Sequence, residues 1–166
     1  QETPQERLRR AQDLAKQCLA LEQLQSAEGP AVIVASYESL PSEPPTTELN
    51  EALLAAGFRV ILPVHEAAGR LLEGLHWRDA TSDEIVAEET AQFARLSVCV
   101  VFTPALAIGR DGTRLGKGKG YYDKFFSQLP QFPRGPLRVG IVEPTSVFDT
   151  LPTEEHDEVL DTYVAG

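Results

Sequence analysis

The sequence predicts an α/β domain built on a mainly parallel sheet, and three observations support that reading. Two runs, Ala31 to Tyr37 (AVIVASY) and Ser97 to Thr103 (SVCVVFT), are apolar almost throughout, as strands covered on both faces should be. Segments of helical period alternate with such runs, the order that gives parallel strands joined by crossover helices. No internal repeat and no linker long enough to divide the chain interrupts this order, so residues 1–166 read as one domain.

Each element has its own justification. Thr3-Pro4-Gln5-Glu6 is a capping box with proline at the first helical position. The helix it opens carries Leu8, Ala11, Leu14, Cys18 and Leu21 at three- and four-residue spacing, and Gly29-Pro30 is expected to break it. Ala31 to Tyr37 is the first strand, and Ser42 to Thr46 (SEPPT) a rigid loop. A second helix turns Leu49, Ala52, Leu53 and Ala56 inward and stops at Gly57. Phe58 to Leu62 is the next strand, ended by Pro63, and Leu71 to Trp77 a more exposed one. Asp79 to Glu89 is acidic with weak periodicity and reads as a surface segment. Ser97 to Thr103 leads through Pro104 into a glycine-rich loop. The helix from Tyr121 to about Leu129 sets Tyr121 on Phe125 and Tyr122 on Phe126. Leu137 to Val142 and Val159 to Ala165 supply late strands.

Composition narrows the function. A net charge of −10 and a pI near 4.7 exclude a general nucleic-acid or anionic-membrane surface, because neutralising phosphates needs a basic face. No apolar run approaches the roughly 20 residues of a membrane span, and no signal peptide is visible. Cys18 and Cys99 have no metal-ligand spacing and read as small buried hydrophobes in a reducing, cytoplasmic compartment.

Against that acidic background stands Arg114 to Asp123, Arg-Leu-Gly-Lys-Gly-Lys-Gly-Tyr-Tyr-Asp. Gly116, Gly118 and Gly120 free the backbone for a ligand to lie on its amides, with Arg114, Lys117 and Lys119 beside them. The helix start at Tyr121 adds free N–H groups. Asp123 is the one acid at this cationic spot, and a carboxylate beside bound phosphates points to a divalent metal. The run is neither a P-loop, since glycine follows each lysine, nor a dinucleotide fingerprint, since Tyr121 stands where glycine is needed. The plain alternative is a flexible glycine-lysine surface loop; two tyrosines and an aspartate in fixed order after it argue against that. His65, His76 and Trp77 read as structural residues, Glu84, Glu88 and Glu89 as a solvated face, and His156 as a surface group.

The chain resembles the 5-formyltetrahydrofolate cyclo-ligase (methenyltetrahydrofolate synthetase) family. The resemblance rests on Thr103-Pro104-Ala105-Leu106-Ala107 and Gly112 to Asp123, on Leu151-Pro152 with Glu155-His156-Asp157 and Asp161, and on Tyr37 to Thr46 with Glu51-Ala52-Leu53 and Leu62-Pro63. It implies a three-layer α/β/α fold of the ribose-isomerase and CoA-transferase type. It also implies ATP- and Mg²⁺-dependent closure of 5-formyltetrahydrofolate to 5,10-methenyltetrahydrofolate through a phosphorylated formyl group, by a monomer. On that resemblance Arg114, Leu115, Gly116, Lys117, Gly118, Lys119, Gly120, Tyr121 and Tyr122 hold ATP, and Arg114 and Lys119 stabilise the transferring phosphoryl group. Lys117 to Tyr121, with Leu40, Glu43 and Pro45, face the folate, and Asp123 and Asp157 ligate magnesium.

The sequence departs from the family at two places. Pro45 stands where the folate loop has an acid, and the family's basic N-terminal helix would precede Gln1, as the lack of any methionine also suggests. A non-catalytic nucleotide- or polyphosphate-binding paralogue is the alternative that Pro45 favours. A phosphotransferase acting on another small amide is a third.

Overall fold

The computed structural model describes residues 1–27, 32–116, 120–152 and 158–166. Helix α1 (Pro4–Leu19) begins as its capping box dictates, with the Glu6 amide donating to the Thr3 hydroxyl at 3.1 Å. It ends earlier than its apolar spacing suggests, and a short helix α2 (Glu22–Gln25) follows. Ala11, Leu14, Ala15 and Cys18 are buried, whereas Leu8 is exposed. Strand β1 (Ile33–Ala35) is the paired part of the first apolar run. Helix α3 (Thr47–Ala55) buries Leu49 and Leu53, leaves Ala56 exposed, and is followed by Gly57 with φ of 95°.

Strand β2 (Arg59–Ala67) runs straight through Pro63, contrary to the expectation that the proline ends it. Its pairing with β1 ends at Ile61, so the missing proline N–H falls where the strand has a neighbour on one side only. A two-residue turn at Ala68-Gly69, both left-handed, returns the chain as β3 (Arg70–Asp79). The acidic segment holds a further strand, β4 (Ile85–Ala87), and then helix α4 (Thr90–Arg95). Strand β5 (Val100–Pro104) leads to two short strands, β6 (Ala107–Gly109) and β7 (Arg114–Leu115). Helix α5 (Tyr121–Ser127), β8 (Leu137–Val142), β9 (Val147–Phe148) and β10 (Thr162–Ala165) complete the chain.

The main sheet has the order β10-β8-β5-β1-β2-β3-β4, parallel from β10 to β2 and antiparallel across β2, β3 and β4. Strands β7, β6 and β9 make a second, small sheet. Strand alternation sends side chains to two separate cores. Val34, Val100 and Phe102 meet Leu14 and Cys18 of α1 and Leu49 and Leu53 of α3 on one face. Ala35 and Val101 meet Phe93 of α4 and Phe125 and Phe126 of α5 on the other, around the fully buried Trp77. The result is the three-layer α/β/α arrangement that the family resemblance implies, built on the mainly parallel sheet that the sequence predicts.

The chain order reverses between β1 and β5. After β1 it moves outward to β2, and β5 lies on the opposite side of β1. The crevice beyond the carboxyl ends of such a strand pair is where open α/β sheets bind ligands. The loops leaving β1 and β5 are the two that the sequence singles out.

Candidate functional site

The first of these loops, residues 36–46, is held by its own polar side chains. The Ser39 amide donates to the Thr46 hydroxyl and the Thr46 amide to the Ser39 hydroxyl, each at 3.0 Å. The Tyr37 carbonyl accepts from Thr46 Oγ1 at 2.7 Å and Asn50 Nδ2 at 3.0 Å, which ties the loop to the start of α3. Glu43 is buried, and its Oε1 accepts the Leu40 amide at 2.7 Å. Pro44 and Pro45 are buried beside it, so Pro45 packs within the loop wall, while Leu40 stands half exposed at the loop surface. Proline at two adjacent positions removes backbone freedom that the loop would otherwise lose on folding.

The second loop leaves β5 and forms the β6–β7 hairpin. Arg114 Nε donates to the Pro104 carbonyl at 2.9 Å, and the guanidinium lies over the Tyr122 ring, 5.3 Å from its centroid. A Cβ at Gly116 would lie 2.9 Å from both Nη atoms of Arg114, so glycine is what lets this guanidinium fold back on its own strand. Burial lowers the Arg114 pKa, opposed by Asp123, Tyr122, Tyr37 and Glu43. Arginine stays a cation through such a shift, so the site keeps a fixed, partly desolvated positive charge. Burial likewise raises Tyr37 and Tyr122, with Glu43 adding to both and Arg114 opposing, so both remain neutral hydroxyls. Neither phenol oxygen has a hydrogen-bond partner among the described residues. Tyr37 lies in this neighbourhood, although the sequence reading named it only as the end of the first strand and the start of the loop after it.

Helix α5 places three further candidates. Asp123, in its first turn, is half-buried and close enough to Arg114 to oppose its shift. Tyr122 packs on Phe126 with ring centroids 6.0 Å apart, as i, i+4 spacing predicts. Tyr121 lies against the exposed His65 at 5.7 Å, while Phe125 packs with Trp77 at 5.3 Å and Phe93 at 4.7 Å. Tyr121, Leu75 and Phe125 also floor an open cleft of about 420 Å³, with Glu73, Glu88, Glu89 and Lys124 at its exposed rim. The sequence reading missed this cleft because its walls come from β3, α4 and α5 and no contiguous motif spells it.

Leu115 is exposed at the start of the glycine run, and Gly120 caps α5 with φ of 70°. Lys117, Gly118, Lys119 and Asp157 lie outside the described residues. No group of three potential metal ligands occurs among the described residues. Magnesium needs no such group, because one or two carboxylates can hold it with phosphate and water completing its shell, and Asp123 offers one carboxylate of that kind beside Arg114.

Comparison with known proteins bears on the whole chain. Residues 1–166 match the model of the 5-formyltetrahydrofolate cyclo-ligase family. Two bacterial proteins named 5-formyltetrahydrofolate cyclo-ligase are similar to it. That of Mycolicibacterium smegmatis is 32% identical over 142 residues, covering 76% of this chain and 70% of its own. That of Escherichia coli K12 is 31% identical over 143 residues, covering 79% and 76%. The fold matches two solved 5,10-methenyltetrahydrofolate synthetases, both at 22% identity. The Mycoplasma pneumoniae structure has a TM-score of 0.70, covering 97% of this chain and 87% of its own, and the Aquifex aeolicus structure 0.69, covering 98% and 81%. No described helix is long and apolar enough to cross a membrane. With a family match that spans its full length and two relatives above 30% identity, the chain belongs to the 5-formyltetrahydrofolate cyclo-ligase family of enzymes.

Proposed function

We propose that this enzyme uses ATP to close 5-formyltetrahydrofolate into 5,10-methenyltetrahydrofolate, releasing ADP and phosphate. The observation that supports this best is the meeting of two loops at the strand-order reversal. One carries a half-buried, partly desolvated cation, Arg114, and opens the glycine-lysine run; the other carries a buried carboxylate, Glu43. A cationic, amide-rich loop suits a polyphosphate, and a carboxylate in a rigid loop suits the N–H edge of a pterin.

The formyl oxygen attacks the γ-phosphorus and ADP leaves. N10 then attacks the activated formyl carbon, the carbon–oxygen bond breaks with release of phosphate, and N10 loses its proton. This chemistry needs charge stabilisation at the phosphoryl group and alignment of two substrates, with no side-chain nucleophile. Arg114, with Nε fixed on the Pro104 carbonyl, keeps its Nη groups as oriented donors for phosphate oxygens. Lys119 supplies the second cation, and Lys117 and the glycine amides seat the polyphosphate. Asp123 and Asp157 would hold magnesium, which offsets phosphate charge when bound. Tyr121 and the apolar cleft floor it shares with Leu75 and Phe125 suit a flat ring, and Leu40, Glu43 and Pro45 of the β1 loop are the other folate-facing candidates.

The test is direct. Protein, 5-formyltetrahydrofolate, ATP and Mg²⁺ are mixed and the methenyl absorption is followed. Stoichiometric ADP and methenyl product are expected. ATP binding without any folate binding would instead make the chain a polyphosphate-binding paralogue.

A further inference from the structure

The ends of the glycine run from Arg114 to Asp123 lie in two posts, helix α5 and strand β7, and one buried residue outside the run is tied to both. Arg138, in the middle strand β8, is only 2% exposed. Its Nη2 donates to the Phe126 carbonyl at 2.9 Å and the Leu129 carbonyl at 3.2 Å, so it ties β8 to the last turn of α5 and to the turn that follows. Its guanidinium also lies 4.7 Å from the Phe126 ring centroid. That fixes the first post.

The second post is reached through residues 158–161. Arg138 Nη1 faces Glu158 at 3.8 Å, its amide donates to Asp161 Oδ2 at 2.8 Å, and its carbonyl accepts the Asp161 amide at 2.9 Å. The next residue back, Leu160, donates its amide to the Gly112 carbonyl at 2.8 Å. Gly112 is the turn of the β6–β7 hairpin. Its φ is 94°, and a Cβ there would lie 2.6 Å from the Leu160 oxygen, so the contact is specific to glycine. The hairpin's second strand, β7, begins at Arg114.

We infer that Arg138 is a positioning residue: its side chain holds the carboxyl end of α5 and faces Glu158, while its main chain carries residue 161 beside the Gly112 hairpin, and together these set the span between Arg114 and Tyr121. The inference rests on the proposed role of that run in holding ATP. Helix α5 has only 7 residues, roughly 10 Å, so a tilt at its carboxyl end moves its first turn by a comparable amount. Displacing a phosphate cradle by about 1 Å is enough to cost up to a hundredfold in rate. A burial role alone makes a different prediction. A neutral side chain of similar length would change stability and leave the ligand affinity of the folded protein untouched.

Arg138→Met and Arg138→Lys are made and assayed well below their melting temperatures, with circular dichroism to confirm folding. The binding probe is a non-hydrolysable ATP analogue with Mg²⁺, titrated calorimetrically; turnover is followed as methenyl formation. Arg138→Met should weaken analogue binding about tenfold and lower kcat/KM for ATP by roughly 10- to 100-fold. Arg138→Lys should recover some of both losses, because an ammonium can donate to the same carbonyls. Glu158→Gln, which keeps the α5 ties, provides a milder variant should Arg138→Met not fold, and should weaken the analogue about two- to threefold. Folded variants with wild-type affinity and kinetics, whatever their melting temperature, would overturn the inference. A wild-type protein that neither binds the analogue nor forms product would remove the ATP reading itself, and that failure shows in the control.

Discussion

Asp79 and the loop lysines behave as opposites, one a charge used for structure and the others charges proposed for chemistry. Asp79 ends β3 with its side chain largely buried and accepts from Arg59 Nε at 2.7 Å and from the Thr81 and Ser82 amides at 2.8 and 3.0 Å. The Arg59 bond, helped by those amides, holds its pKa down to about 2 from 3.8. A depressed carboxylate stabilises the fold above its unfolded pKa, and the contribution is lost as pH falls through the folded value. Asp79→Asn should therefore cost about 1–2 kcal/mol at pH 7, after discount for the exposed half of the pair. In thermal melts the gap between mutant and wild type should close between about pH 4 and pH 2. A gap that persists at pH 2 would show that the loop contacts, not the charge, matter. For the lysines, Lys119→Ala should lower kcat/KM by about 10²–10³ and Lys117→Ala much less, because only Lys119 is assigned to the transferring group. Equal small losses in steady-state assays would reduce the run to a binding loop.

At the scale of elements, Gly112 offers a sharp test of the hairpin. Alanine there meets both a left-handed backbone and the Leu160 carbonyl, and should cost about 2 kcal/mol or more, read as a lowered melting temperature. An unchanged midpoint would mean that the hairpin does not pack on residue 160 in solution.

The same hairpin shows why some elements escape a reading of the sequence. Strands β6, β7 and β9 have two or three residues each, too few for any period to register. Proline breaks strands in general, yet β2 continues through Pro63 because its neighbour β1 stops first. The acidic 79–89 segment reads as solvated, and Glu84 and Glu88 are, but the apolar residues between them pair as β4 and Asp79 turns inward. By contrast α1, α3, β5 and β8 are legible, since a capping box, apolar residues at helical spacing or a run of apolar residues marks each one.

Across the whole molecule, the glycine run is legible because its residues are contiguous. The Tyr37–Arg114 neighbourhood is not, since only the strand order brings those loops together. That order also joins two cores that share one sheet, which yields a final prediction. Leu49 belongs to the core under α1 and α3, and Phe93 to the core around Trp77, both with their side chains fully enclosed. Leu49→Ala should remove about 2–5 kcal/mol and Phe93→Ala about 3–5 kcal/mol. In a domain of this size each kcal/mol lowers Tm by roughly 2–4 °C. The two sites are separated by the sheet, so the losses should add in the double mutant. Trp77, the single tryptophan, reports only the Phe93 side, whereas far-ultraviolet circular dichroism reports helices on both faces. If β1, β5 and β8 couple the faces into one cooperative unit, Leu49→Ala must shift the Trp77 fluorescence transition as far as it shifts the dichroism. A fluorescence midpoint that stays at the wild-type value while the dichroism midpoint falls would mean that the faces unfold separately. The site at their shared edge would then open before the Trp77 core melts.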